Sequence, residues 1–570
     1  MTTILRADLG PAAGFPHGCA PSVLAMGAPH RRLPNRVTVW AIAILSAGIS
    51  ADGWGQTVAP TAPKRIFRMA VAGPIRSLDP VQAELNAELK LAANLVEPLL
   101  ALDPATGLWV PAAALRFTQS PDGRTITFTL RDDLYFSNGE KITAEDFAYS
   151  IRRLLEPRTD SWVAPFLKSI RGAEDFHEGA IMTPEQLGIR ARDSKTLVVD
   201  LTQRDPWLLE IFAQPATGPV HRKTIDRFKK DWTKTQNWVG SGPFLPVRSG
   251  RTLYVFQKNP HHRNAVSIPL DEVQIYLVAS PAEGADLYSR RSVDQFGYRD
   301  FDLPSSQIPA WSTTKEIRYQ PDLKTTFLRL NATKAELSKQ KFRQALAMAI
   351  DRDLLTRSVM MKGEVPAYSL MPPAAKQYEP PTGFLHNDSG ARIELKELGY
   401  CAPGYAPKGC DRPPFLEFLC RDDPLSRKVA LAVQTVWQDK LGIDRVKMNP
   451  KPEDQFLRDI QSGNYLVALD DLSAEPERAF DILKAFHSGK GTAGAFSSKT
   501  FDRLLAEADA QADWNEAKKS YREAEALLML DGGVIPLFHG TTLYLVSPRV
   551  RGYEPNVWDL HPFSSVSLAP

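Results

Sequence analysis

Hydrophobic and polar positions along this chain recur with two different periods. IFRMAVAG (66–73) alternates in steps of two and stops at Gly73-Pro74, the pattern of a strand. RTITFTLRDDLYF (124–136) follows the turn Ser120-Pro121-Asp122-Gly123 and reads as a hairpin arm. TLVVDL (196–201), TLYVFQKNP (252–260), EVQIYLVAS (272–280), FLRLNAT, FLEFLC and VIPLFHGTTLYLVSP are strand-like as well. Helical spacing runs through 81–100, with Leu85, Leu89, Leu95 and Leu99 in phase. Thr143 followed by Asp146 predicts a capped helix that ends at Pro157. Further helices are predicted over 341–355, 391–400, 425–441 and 501–530. Strands alternating with helices indicate an α/β protein.

One apolar run stands apart. VTVWAIAILSAGI (37–49) is too short to span a bilayer, which takes about 20 residues. Arg31, Arg32 and Arg36 precede it, and the small residues Ser50, Ala51, Gly53 and Gly55 follow. This is the layout of a secretory signal peptide, cleaved after Gly55 or nearer Ser50 or Ala51. Residues 1–25 are rich in Pro, Gly and Ala, add nothing to such a signal, and read as an upstream extension from a mis-assigned start codon. No Cys follows the apolar run to take a lipid, so a soluble periplasmic protein is expected.

At about 150 residues per domain, 570 residues make roughly three or four domains. A charged fraction of 24% and a hydrophobic fraction of 43% exclude a mainly disordered chain and a polytopic membrane protein. A net charge of +3 is no nucleic-acid signature. Four Cys are too few for a disulfide scaffold. Cys401 and Cys410 bracket a Pro/Gly loop and make a local bridge or stay free, and Cys420 falls in a buried strand.

Catalytic signatures are missing: there is no GxSxG, HExxH, P-loop or EF-hand loop. Gly240-Ser241-Gly242-Pro243 lacks the third glycine of a dinucleotide fingerprint. His261-His262 reads as a surface turn, and Asp470-Asp471 aim poorly at a common point for acid/base work. Binding without chemistry is the expectation, with no metal and no cofactor.

ITFTLRDDLYFSNGEKITAEDFAYSIRRLLEP (126–157) resembles the signature of the large solute-binding proteins of ABC peptide importers, the oligopeptide- and dipeptide-binding family. SLDP (77–80), LVEPLLALDPATG (95–107), VGSGPFLPV (239–247), FRQALAMAIDRDLL (342–355), LGYCAPG (398–404) and VIPLFH (534–539) match the family in the same order. The resemblance implies a bilobal periplasmic-binding-protein clamshell with a third, inserted domain. Lobe one would combine 64–96, 221–323 and 540–570, the inserted domain would be 97–220, and lobe two 324–539. It also implies a monomer that captures short peptides by hinge closure and delivers them to permease subunits. A non-peptide solute (a nickel complex, an opine or a glycoside) is the alternative.

The resemblance also nominates site residues. Peptide binders of the family hold the ligand ammonium with an Asp in a Trp-x-x-Asp-Tyr-x-x-Pro-like segment, to which YLVALDDLSAEPERAFDILKAF (465–486) corresponds. Asp471 is the expected anchor and Asp470 the second choice, or both cap a following helix. The Trp is absent here and Leu472 replaces the aromatic. Glu84 falls in the family's first cleft strand or on a surface helix. Trp162 covers the cleft or belongs to the core, and Phe538 and His539 lie near a further cleft strand.

Overall fold

The computed structural model describes residues 63–570 except 104–107, 181–182, 206, 298–302, 304–306, 376–377, 402–408, 475–478, 489–495, 512, 555, 558, 560 and 570. The signal-like segment and Cys19 lie outside the described residues, as does Pro476.

An 11-stranded sheet runs through the chain from residue 63 onward. At one end, strand Ile66–Ala72 pairs in parallel with Glu272–Val278, which continues antiparallel into Leu253–Lys258 and Phe244–Arg248. At the other end, Leu416–Arg421 lies in parallel between Val446–Lys451 and Val467–Ser473. Two long antiparallel strands, Ile317–Leu330 and Val534–Val546, join the halves. Their register runs from Ile317 opposite Leu545 to Arg329 opposite Val534, and it shifts between Pro321 and Thr325 and again between Thr326 and Phe327. Such irregularities bend and twist a strand pair. A separate four-stranded sheet (114–119, 125–130, 196–200 and 189–193) carries its own core, with Phe128, Phe147 and Leu167 fully buried.

Local signals set most boundaries. The carboxylate of Asp146 accepts from the N–H and the hydroxyl of Thr143, both at 2.8 Å, and starts helix Ala144–Leu155. Gly242 has no room for a side chain: a Cβ there would stand 2.4 Å from the carbonyl carbon of Leu95. That contact lets the end of helix Asn86–Leu95 meet the 240–243 turn, through Gly242 N–H to Leu95 O at 3.0 Å. Lys90 on the same helix is buried against Asp559 at 2.6 Å, and Asp559 meets His561 at 3.0 Å, so the C-terminal segment is tied to it.

Three expectations differ from the structure. The helix predicted over 341–355 breaks into Gln340–Met348 and a short helix at Arg352, because Asp351 caps a new start by accepting from Leu354 N–H. Arg352 then donates to the Ala347 and Ile350 carbonyls at the break. The run 501–530 is two helices, Lys499–Ala510 and Trp514–Asp531, divided where Asp513 caps the second. The helix read over 81–100 is shorter, Asn86–Leu95, and an extended stretch precedes it.

Glu525, on helix Trp514–Asp531, is fully buried. It accepts from the N–H groups of Leu370 and Met371, both at 2.8 Å, and from the Tyr378 hydroxyl at 2.7 Å. Burial outweighs these donors and pushes its carboxyl up to about 7. An unfolded glutamate titrates at about 4.3. The folded chain therefore holds this proton more tightly, and the group favours folding most at acid pH. That contribution is lost as pH rises from about 4.3 through about 7. Glu525→Gln is expected to flatten the fall in Tm between about pH 5 and about pH 7.5, measured by thermal melts. A profile unchanged from the parent would refute the assignment.

Candidate functional site

Strand Val467–Ser473 carries the acidic pair between two neighbours, and alternation sends the two side chains to opposite faces. Asp470 faces inward. Its Oδ2 accepts from Arg329 Nε at 2.7 Å, its Oδ1 from Arg421 at 3.3 Å, and its side chain is 8% exposed. Arg329 is buried too, with its guanidinium over the rings of Phe327 and Phe486 at 5.1 and 5.0 Å. Asp471 faces outward at 32% exposure, paired with Lys324 at 3.0 Å and Arg421 at 3.1 Å. Arg421 also reaches Glu453 at 2.7 Å. Three cations therefore meet three carboxylates on this wall. Both aspartates sit in a strand and neither caps a helix.

Glu84 lies in the extended stretch before helix Asn86–Leu95 and is half exposed, with Arg76 at 3.1 Å. Glu88, one turn on, accepts from the N–H groups of Glu84 and Leu85 and holds that stretch in place. The indole N–H of Trp162 donates to Ala83 O at 2.7 Å, and its ring meets Phe166 edge-on at 5.9 Å. Glu84 and Trp162 thus share one wall, where the four-stranded body adjoins helix Asn86–Leu95.

Phe538 and His539 are buried at the join of the long strands, and neither side chain reaches the surface. Thr325 donates its hydroxyl to Leu370 O at 2.7 Å, and His539 Nδ1 sits 2.8 Å from the Thr325 hydroxyl oxygen. With that proton committed to the carbonyl, Nδ1 is the donor. Burial pulls His539 down to about 4, so the ring is neutral. Cys401 and Cys410 are disulfide-bonded, and Cys420 is a buried free thiol.

A cavity of about 550 Å³ lies between the four-stranded body and the far half of the large sheet. One wall comes from 164–178 and 203–211, the other from Phe480, Asp481 and Lys484. Trp207 crosses the gap and meets Trp514 edge-on at 5.3 Å. Sequence reading missed these residues, because their segments are far apart in the chain and carry no motif.

Two halves joined by a bent strand ribbon, with a third body beside them, define a hinged binding protein of the α/β clamshell type. Residues 108–494 match the model of the bacterial extracellular solute-binding proteins, family 5, middle region. The match spans more than half of the chain, and the chain belongs to that family. It is 29% identical to the periplasmic murein peptide-binding protein MppA of Escherichia coli K12, over 92% of this chain and 97% of that one. It is 28% identical to the periplasmic oligopeptide-binding protein OppA of Salmonella typhimurium, covering 84% and 88%. It is 27% identical to the probable deoxycholate-binding periplasmic protein YgiS of Escherichia coli K12, covering 91% and 96%. Among solved structures, the unliganded open form of MppA superimposes with a TM-score of 0.80 at 27% identity, covering 89% of this chain and 98% of that one. A second MppA structure, at the same identity and covering 89% and 99%, gives 0.60.

The two aspartates should respond differently to neutralisation. Asp470→Asn strands the buried Arg329 cation and is expected to cost about 3–5 kcal/mol in urea denaturation. Asp471→Asn removes a partly solvated pair and is expected to cost less than about 1 kcal/mol. Equal losses would overturn the division of roles.

Proposed function

We propose that this chain is the solute-binding component of an ABC importer, capturing short peptides between its lobes by hinge closure and passing them to a membrane permease. The observation that carries the reading is the better fit to the open, unliganded form of a murein peptide-binding relative than to the second structure of that same protein. Both structures bear the name MppA, and this chain superimposes better on the one described as unliganded and open. Binding across the lobes then shifts the open–closed equilibrium.

Asp471 is the proposed contact for the peptide ammonium, since it is the partly exposed member of its pair. Glu84 and Trp162 would face the ligand from the opposite wall, with Phe538 and His539 supporting the ribbon behind it. The chain divides at the boundaries given above, which agrees with a separate core around the four-stranded sheet. Export by residues 1–55, release without a lipid anchor, a monomeric state and the absence of catalysis complete the proposal. A non-peptide solute is the second reading, favoured by the deoxycholate-binding name of one relative.

Native mass spectrometry of the purified chain is expected to reveal adducts that fragment as short peptides. Acetylating the amino terminus of such a peptide, or introducing Asp471→Ala, is expected to weaken binding at least about tenfold, roughly the worth of one desolvated charge pair. A single non-peptide adduct would replace the peptide reading with the second one. Undiminished binding of acetylated peptides would remove Asp471 from the site.

A further inference from the structure

The 550 Å³ cavity lies within the size range of small-molecule sites. Its walls belong to two bodies, so an occupant touches both. Phe166 and Trp207 come from the inserted domain and Phe480 from lobe two, giving an aromatic lining on both sides. The charged groups are unbalanced: Glu174, Glu178, Asp205 and Asp481 face Lys168, Lys484 and the ring of His177, whose Nδ1 lies 3.3 Å from Leu155 O. Lys484 is already held within its own lobe, by Asp509 at 2.8 Å and Asp481 at 3.7 Å. It leaves the carboxylates of the opposite wall unneutralised.

Those carboxylates differ in kind. Asp205 is fixed in place by neutral donors, the Ser169 hydroxyl at 2.7 Å and the Trp207 N–H at 3.0 Å, and has no cationic partner among the described residues. Glu174 and Glu178 stand one helical turn apart on the rim and also lack a basic partner among the described residues. Unpaired carboxylates beside aromatic faces attract an ammonium group, by Coulomb attraction and by the ring quadrupole. The same arrangement repels anions. The apolar faces of Trp207 and Phe480 suit methylene groups leading to that charge.

We propose that this cavity binds a protonated amine carried on an apolar stem, either as a basic side chain of the transported peptide or as a free alkyl amine. The peptide form of the inference rests on the function proposed above, whereas the free-amine form does not. Occupancy joins the inserted domain to lobe two, where Trp207 and Trp514 already touch.

Calorimetric titration of the purified chain tests this with three probes: a lysine-containing tripeptide, the same peptide with norleucine in place of lysine, and 1,5-diaminopentane. The lysine peptide is expected to bind about tenfold tighter than the norleucine peptide, the scale of a partly desolvated cation–π contact. The double variant Glu174→Gln/Glu178→Gln and the single variant Asp205→Asn should each shrink that ratio and leave norleucine-peptide affinity unchanged. Saturable diamine binding that these variants abolish would identify the free amine as the source. Equal affinities for both peptides, together with no diamine binding, would overturn the proposal. Failure of both peptides with retained diamine binding would overturn the peptide function and keep the cavity.

Discussion

Strands Ile317–Leu330 and Val534–Val546 belong to both halves of the large sheet at once, and the rest of the molecule is arranged around their pairing. Backbone hydrogen bonds between two long strands are stiff along the strand and soft to twist. The register shifts at Pro321–Thr325 and Thr326–Phe327 concentrate that softness near the middle of the ribbon. Thr325 and His539 sit opposite each other there, and Thr325 also ties the ribbon to Leu370. A neutral His539 allows this buried knot to exist without a counter-charge. The charges of the ribbon lie instead at Lys324 and Arg329 of the same strand, which pair with Asp471 and Asp470.

The wall on strand Val467–Ser473 is nearly self-neutralised, with Arg421 spanning Asp470, Asp471 and Glu453. A wall of this kind keeps its shape in the absence of ligand. In the cavity lined by Trp207 and Phe480, Asp205 is held by neutral donors instead.

Much of the fold is visible in the order of residues, and the failures have identifiable causes. Helix Ala144–Leu155 was legible because Thr143 and Asp146 form a local device that depends on nothing else. The first half of strand Ile317–Leu330 was not, since Pro321 and its polar neighbours suppress the alternation that marks a strand. Asp351 and Asp513 split predicted helices, and both are capping residues that a periodicity reading passes over. The acidic pair was visible, but its partners were not. Arg329 lies 141 positions from Asp470, and Arg421 lies 50 from Asp471. Only the strand order brings them together. The cavity was invisible for the same reason, because segments near 170, 205 and 480 meet only after folding.

Cys401, Cys410 and Cys420 differ in their access to thiol exchange. Thiol–disulfide exchange needs a thiolate and access to the sulfur. Cys420 has neither: it is fully buried, and burial pushes its thiol up to about 11. Cys401 and Cys410 are nine positions apart and joined in a disulfide. A separation this short makes the encounter of the two sulfurs a local one. With its strand in the sheet, Cys420 is withdrawn from exchange with that pair.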